Sequence, residues 1–133
     1  MNATSKSDPV TLLRRYLGAL VKRNSAQVAE CFTQRAILDL PTVKPSRFMG
    51  LEEIRTAHLW AFENLKEVTV ETDDILRAGP SAMTAGRLTV ICRGRRETHA
   101  FGISAESSDP GLDRVSWYFD SRGHRPWSDK TVL

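Results

Sequence analysis

Apolar residues near the start of the chain recur three and four positions apart, which predicts helices. The first run covers residues 10–23, and its apolar face comprises Leu12, Leu13, Tyr16, Leu17, Leu20 and Val21. Asp8 is a suitable N-cap for this helix, and Pro9 suits its first turn. A shorter second helix is predicted over residues 26–32, with Asn24 or Ser25 as its cap.

A strand, a loop and a third helix are predicted next. Residues 36–41 form the strand, which Pro41 ends, and residues 42–50 form the loop. Residues 51–65 form the helix, whose apolar stripe consists of Ile54, His58, Ala61, Phe62 and Leu65. This helix completes a layer that is able to cover one face of a sheet.

After Leu65 the apolar spacing changes to every second residue, which predicts strands. The predicted strands cover 66–79, 83–94, 95–107 and 113–120, with turns between them. Helices followed by an antiparallel meander indicate an α+β fold. We therefore expect a single domain in which a cone-shaped, curved antiparallel sheet wraps on three N-terminal helices, with a pocket at the mouth of the cone.

Both faces of the strand at 83–94 carry apolar residues, so each face needs a covering partner. One face is expected to line the core and the pocket. The other, taken to include Leu88, Val90, Val115 and Trp117, is too apolar for a monomer. The sequence therefore predicts a homodimer formed through the outer face of the sheet.

The composition is that of one ordinary globular domain, with 133 residues, 41% hydrophobic and 26% charged. The polar opening "MNATSKSDP" is no secretion signal, and no apolar run approaches the ~20 residues of a membrane span. A cytoplasmic protein without membrane contact is expected. Residues 1–9 are predicted to be a flexible N-terminus, 10–123 the domain, and 124–133 a tail that Trp127 anchors on the domain.

Charge and cysteine content exclude several function classes. Net charge is only +3, and the basic stretch at 93–99 is interpreted as a solvated hairpin turn, so no nucleic-acid partner is expected. Cys31 and Cys92 are interpreted as reduced, buried thiols. No histidine–carboxylate cluster has metal-ligand spacing, so no metal is expected.

Four segments resemble one known family when they are taken in order. They are "LLRRYLGAL", "AECFTQRAILDLP", "MGLEEIRTAHLWAF" and "VSWYFD", and together they span roughly residues 10–122. The chain resembles the nuclear transport factor 2-like superfamily, and most closely its SnoaL-like branch. This resemblance implies a cone-shaped α+β fold, a hydrophobic pocket and, usually, a dimer. Family members include ketosteroid isomerases, limonene-epoxide-type hydrolases, polyketide cyclases and non-catalytic binding proteins, so the site residues must decide the function.

A ketosteroid isomerase is the first possibility to test against the residues. Tyr16 matches the tyrosine of the family's oxyanion hole, but the position of the catalytic base holds Leu40. The protonated acid would fall near Ser104 or Ala105, and neither can serve. The resemblance therefore does not extend to steroid isomerisation of this kind.

An epoxide hydrolase or a polyketide cyclase retains more of its residues. Arg87 and Asp120 match the hydrolase arginine and one of its aspartates, while Thr89 stands at the other aspartate. A cyclase needs one carboxylate in an apolar cavity, which Asp120 could supply with Tyr16 or His99 nearby. We assign Asp120 to the pocket because it matches the family's aspartate position and alternates with Ser116 and Tyr118; the competing interpretation is a turn cap.

The sequence thus predicts a small, cofactor-independent isomerase, cyclase, lyase or hydrolase that acts on a hydrophobic, oxygen-containing small molecule. The alternative is a non-catalytic ligand-binding or dimerisation module of the same fold. The predicted catalytic residues are Asp120, Arg87 and Tyr16. The predicted substrate-binding residues are Leu40, His58, Phe62, Thr89 and Tyr118. The competing interpretations, of which the core one is favoured for Tyr16 and His58, make these two core residues, Arg87 an exposed edge residue, and His99 an exposed residue at a hairpin start.

Overall fold

The computed structural model describes residues 8–41 and 46–119. Three helices, α1 (Pro9–Val21), α2 (Ser25–Glu30) and α3 (Leu51–Asn64), pack on one sheet. The strands are β1 (Phe32–Asp39), β2 (Arg47–Met49), β3 (Leu65–Thr72), β4 (Leu76–Ala78), β5 (Ser81–Cys92), β6 (Arg95–Ser108) and β7 (Gly111–Phe119). This α+β architecture confirms the predicted fold class.

The predicted helix starts are confirmed by their caps. The Asp8 carboxylate accepts hydrogen bonds from both the backbone N–H and the hydroxyl of Thr11, and Pro9 stands in the first turn of α1. Asn24 caps α2 by accepting from the backbone N–H of Gln27. At α3 the chain turns at Gly50, whose φ of 92° lies in the region that favours glycine.

The sheet is mixed, whereas the sequence predicted an antiparallel one. Its order is β2-β1-β7-β6-β5-β3, with β4 paired to β5. Strand β1 runs parallel to β7, and the other pairs are antiparallel. β2 lies inside the segment that was predicted to be a loop, because three residues pair there with β1. β1 and β7 are distant from each other in sequence, so local spacing could not reveal that they pair.

The single strand predicted over 66–79 is divided into β3 and β4. The chain leaves the sheet at Asp73 and Asp74, where the Thr84 hydroxyl lies 2.9 Å and 3.1 Å from their backbone carbonyls. Gly86 permits this path, because a Cβ there would collide with the backbone carbonyl of Glu71. Two residues of β5 thus shape the neighbouring strand.

The predicted orientation of the sheet faces is wrong. Leu88, Val90, Val115 and Trp117, expected on the outer face, are at most 1% exposed and belong to the core beneath the helices. The outer face of β5 carries instead Met83, Ala85, Arg87, Thr89 and Ile91. Both sets contain apolar residues, so alternation separated the two faces but could not identify the one that the helices cover.

Smaller expectations about the chain have mixed outcomes. Arg93 and Gly94 form the predicted turn between β5 and β6, both with positive φ. Cys31 and Cys92 are buried as predicted, and burial raises the pKa of Cys31 to about 11. The tail at 124–133 with Trp127, and residues 1–7, lie outside the described residues. In the described part of the chain, no helix combines the length and apolar character needed to cross a membrane.

Candidate functional site

Tyr16 lies at the centre of a buried polar network that joins α1, α3 and β7. Its hydroxyl oxygen is 2.7 Å from His58 Nε2 and 3.0 Å from Trp117 Nε1. His58 Nδ1 is 2.8 Å from the backbone carbonyl of Ile54, one turn earlier in α3. Tyr16 is fully buried, and Trp117 is 1% exposed. Tyr16 and His58, both predicted as site residues, are thus in direct contact.

The protons of this network have only one arrangement when the histidine is neutral. A carbonyl oxygen can only accept, so His58 Nδ1 carries the ring proton and donates to Ile54. His58 Nε2 then accepts the Tyr16 proton, and Trp117 Nε1–H donates to the Tyr16 oxygen. The tyrosine proton is therefore committed to His58.

Burial keeps both ionisable members of the network neutral at pH 7. It lowers the pKa of His58 to about 4, against a smaller opposing contribution from the hydrogen bond to Ile54. Burial also raises the pKa of Tyr16 well above its ordinary value, although the hydrogen bond from Trp117 acts in the other direction. The network is consequently a fixed set of dipoles without net charge.

A second polar pair lies on the helix-facing side of β6. His99 and Glu97 are two residues apart, so their side chains share a face, and their cross-strand partners Leu88 and Val90 are core residues. His99 Nε2 is 3.3 Å from a carboxylate oxygen of Glu97, and His99 is only 4% exposed. The expectation that His99 could be exposed is wrong. Sequence reasoning missed Glu97, although a Glu-x-His spacing on a strand predicts such a pair.

Aromatic rings connect the neighbourhood of His99 with the Tyr16 network. Phe101, the next residue of β6 on this face, has its ring centroid 5.0 Å from that of Trp117. Trp117 in turn stacks on Phe119 at 5.5 Å and contacts the Tyr16 ring at 6.1 Å. The helix-facing side of the sheet therefore carries a continuous set of aromatic rings between the Tyr16 network and the neighbourhood of the His99–Glu97 pair.

Two further predicted binding residues lie on the same interior side. Leu40 is 6% exposed and belongs to the core, and half-buried Phe62 packs with its ring 6.1 Å from His58. The structure therefore groups Tyr16, His58 and Phe62, and it adds Trp117 to them. The roles of Leu40, His58 and Phe62 in binding a ligand remain predictions.

Three predicted site residues lie on the opposite, outer face. Arg87 is exposed and lies 3.7 Å from a carboxylate oxygen of Glu71, its neighbour on β3. Thr89 contacts Thr98 on the outer surface, and Tyr118 is 51% exposed. This placement corrects the expectation that the three residues face the pocket, since neither β5 nor β7 turns this side toward the helices.

Asp120 lies outside the described residues. Besides the family position, its assignment to the pocket used the premise that Ser116 and Tyr118 face the cone interior. That premise is wrong, because the intervening Trp117 faces the core and Tyr118 faces outward. The role of Asp120 remains a prediction that now lacks this argument.

Asp39 is the most strongly paired carboxylate among the described residues. It contacts Arg47 at 2.8 Å and Arg114 at 2.7 Å, on the side of β1 opposite to buried Leu38 and Leu40. Burial alone would raise the pKa of Asp39, but the hydrogen bonds from the two arginines outweigh burial and lower it. Asp39 is therefore an ionised link between β1, β2 and β7.

An open groove of about 410 Å³ lies between α1 and β3, apart from the residues described above. Leu17, Val21 and Val70 line it, with Arg14 and Asp73 also at its wall. Tyr16, His58 and His99 are not among its lining residues. Within residues 8–41 and 46–119, no group of three His, Cys, Asp or Glu side chains is placed to hold a metal ion.

Solved structures with the same fold come from several organisms. A hypothetical protein with a ketosteroid isomerase-like fold from Catenulispora acidiphila, in complex with trimethylamine, superposes with a TM-score of 0.79 at 11% identity, covering 90% of this chain and 93% of that one. An LEH-like epoxide hydrolase of M. tuberculosis gives 0.76 at 16% identity, covering 92% and 90%. An NTF2-like protein from Anabaena variabilis gives 0.78 at 12% identity, covering 92% and 96%.

These likenesses establish the fold and leave the activity open, since all are at low identity. Comparison with curated proteins gave no match. The sequence profile of the SnoaL-like domain matches residues 13–111, which is most of the chain. The chain therefore belongs to the SnoaL-like domain family.

Proposed function

We propose that the chain is a cofactor-independent enzyme that moves a proton on a hydrophobic, carbonyl-containing small molecule held in the cone. His99 is the proton-transfer group and Glu97 orients it. The observation that carries the proposal is the contact of 3.3 Å between His99 Nε2 and the Glu97 carboxylate on the helix-facing side of β6. Among the described residues, His99 is the buried histidine that contacts a carboxylate.

The proposed step needs no other reactant. With Glu97 ionised, His99 Nε2–H donates to the carboxylate, and the neutral ring takes a proton from the carbon beside the carbonyl group. The electron pair of the broken C–H bond moves to the carbonyl oxygen and gives an enolate. The proton then returns from His99 to the same carbon or to a neighbouring one, which regenerates the enzyme. Glu97 favours the imidazolium form that exists between these two events.

A non-catalytic binding module is the second candidate, and a different observation favours it. The Tyr16 proton is committed to His58, and Trp117 donates to the Tyr16 oxygen, so this network has no ionised group to offer a substrate. A fully satisfied, neutral network suits an apolar binding site as well as it suits an enzyme. In this case a ligand binds in the cone and leaves unchanged.

Deuterium exchange separates the two candidates. 2-Decanone in D₂O is incubated with the protein, and loss of the α-proton signals is followed by proton NMR. We expect the wild type to accelerate exchange. His99→Gln should reduce this acceleration about a hundredfold or more, and Glu97→Gln should reduce it as well. Glu71→Gln is the matched control, because it removes an exposed carboxylate from the outer face. It should leave the exchange rate unchanged.

Ligand binding is measured in parallel by quenching of tryptophan fluorescence, since Trp117 lines the cone. Binding without accelerated exchange would establish the module and exclude the enzyme. Equal exchange rates for the wild type and His99→Gln would also contradict the proposed role of His99. Absence of both binding and exchange over a series of apolar ketones would reject the cone as a site for such molecules.

We also propose that the protein is a homodimer formed through the outer face of the sheet. The residues that support this differ from those first predicted. Leu76 and Met83 are cross-strand partners, 63% and 50% exposed, and Tyr118 on the same face is 51% exposed. Small residues, Ala85 and Gly102, lie between Met83 and Tyr118 in the register of the strands. A flat surface with large apolar residues at its edge is suited to a second copy of the chain.

A further inference from the structure

Strand β6 carries three charged or titratable residues in a row on its helix-facing side. Arg95, Glu97 and His99 alternate along the strand, so their side chains share one face. Arg95 is exposed, the Glu97 side chain is 15% exposed, and the His99 side chain is 3% exposed. The row therefore leads from solvent, at the β5–β6 turn, to the buried His99–Glu97 pair.

A second arginine reaches the same end of the sheet from the turn between α1 and α2. Arg23 Nη1 donates to the backbone carbonyl of Leu65 over 2.8 Å. Leu65 is paired with Cys92, and Cys92 is paired with Arg95. Within the described residues, no carboxylate comes within 4.0 Å of the charged nitrogens of Arg23 or Arg95. Two guanidinium groups that have no acidic partner in the described part of the chain thus lie at this end of the sheet, which we call the rim.

We propose that the molecule bound in the cone carries an anionic group, a carboxylate or a phosphate, which Arg95 holds at this rim with Arg23 close by. The proposal rests on the proposed function, because it assigns His99 to the reacting end of the ligand. Arg95 and His99 are four residues apart, a distance of about 13 Å along a strand. An apolar chain of about 10 Å between the anion and the carbonyl group fits this spacing once the arginine side chain bends inward.

The chemistry of guanidinium supports an oxyacid in this position. Arginine binds carboxylate and phosphate through paired N–H donors, and such charge-assisted hydrogen bonds are stronger than neutral ones. The apolar and aromatic residues deeper in the cone suit the remainder of an amphipathic ligand. A neutral ligand of the same shape would leave the rim arginines without a role.

The test compares two ligands that differ only in charge. They are 9-oxodecanoate and its methyl ester, and the readouts are the rate of α-proton exchange in D₂O and quenching of tryptophan fluorescence. For Arg95→Gln we expect KM and Kd for 9-oxodecanoate to rise about tenfold or more, from loss of charge-assisted hydrogen bonds. Values for the methyl ester should change less than twofold. Because Arg95 is exposed, the variant should fold, and its thermal unfolding verifies this.

Arg96→Gln is the matched control. It removes the same charge one residue further along, but Arg96 pairs with Ile91 and so lies on the outer face. Equal effects of the two variants, or equal affinity of the wild type for the acid and the ester, would overturn the proposal. 4-Oxopentanoate tests the spacing, since it is too short to contact Arg95 and His99 together. The Arg95→Gln substitution should therefore not raise its KM for α-proton exchange. 8-Oxononyl phosphate shows whether phosphate is preferred over carboxylate.

The outcome is distinguishable from failure of the proposed function. If no ketone exchanges its protons but 9-oxodecanoate binds and Arg95→Gln weakens this binding, the rim site stands and the catalytic step falls. If both the acid and the ester exchange equally, with no effect of Arg95→Gln, the catalytic step stands and the rim site falls.

Discussion

His58 shows how one buried residue makes stability depend on pH. Its pKa falls from the ordinary 6.5 to about 4 in the folded chain. The unfolded chain therefore binds a proton at a pH at which the folded chain does not, so the free energy of unfolding decreases as pH falls from 6.5 to 4. At the lower limit this loss amounts to about 3 kcal/mol.

Urea unfolding between pH 7.5 and pH 4 measures this contribution. We expect the wild type to lose stability over this range. His58→Gln should be less stable than the wild type at pH 7, but its free energy of unfolding should fall by up to about 3 kcal/mol less between pH 7.5 and pH 4. Asp39 does not obscure the result: its pKa is lowered, so its contribution is present above its ordinary pKa of 3.8 and is lost below it. Parallel curves for the two proteins would show that folding does not lower the pKa of His58.

The residues that sequence reasoning identified correctly are those with local signals. Asp8 and Asn24 precede helices with the spacing of caps, and Tyr16 and His58 lie on the apolar stripes of α1 and α3. Their mutual contact depends on how two helices cross, which spacing along either helix does not specify. Glu97 was overlooked because arginines surround it in sequence, and these suggested a solvated turn.

At the scale of secondary structure elements, Gly86 determines where β3 ends. A Cβ on this residue would collide with the Glu71 carbonyl and lie 2.9 Å from Thr72 Cα, and neither backbone atom can move without distorting β3. We expect Gly86→Ala to reduce the free energy of unfolding by about 1–3 kcal/mol, as overpacking does. Urea unfolding is the measurement.

Gly102→Ala is the control for this substitution. It adds the same methyl group to the adjacent strand, where no atom of the described residues lies within 4 Å of the new Cβ. Its stability should equal or slightly exceed that of the wild type, because alanine restricts the unfolded chain. A similar loss in both variants would mean that β-sheet glycines are sensitive here for a reason other than the Glu71 contact.

The elements themselves were predictable to the extent that their causes are local. Apolar spacing placed all three helices and the long strands, but the three residues of β2 pair only because β1 lies beside them. The faces of β5 and β7 were reversed because both carry apolar residues, and the choice between them is made by α1 and α3. The same reversal moved Arg87, Thr89 and Tyr118 out of the cone.

At the scale of the whole molecule, the exposed apolar residues of the outer face predict self-association. We expect the wild type to sediment at about twice the 14.9 kDa mass of the chain at micromolar concentration, and Met83→Glu to sediment as a monomer, because a charge would be buried in the interface. Leu59→Glu is the control: Leu59 is 45% exposed, but it lies on α3, away from the sheet.

A wild-type chain that sediments only at 14.9 kDa would contradict the dimer. Loss of association in Leu59→Glu but not in Met83→Glu would place the interface on the helices instead. Sedimentation equilibrium at several concentrations provides the association constant for each protein.

The parallel pairing of β1 with β7 joins the second quarter of the chain to residues that are synthesised much later. Arg114 reaches Asp39 across 75 positions of sequence, and the edge formed by β1 and β2 attaches to the rest of the sheet through β7. A nascent chain that has not yet exposed residue 119 can form helices and the β5–β6 hairpin, but it leaves β1 without its inner neighbour. Completion of the sheet must therefore wait until residue 119 has left the ribosome, and until then the apolar side of β1 depends on the helices, or on a chaperone, for cover.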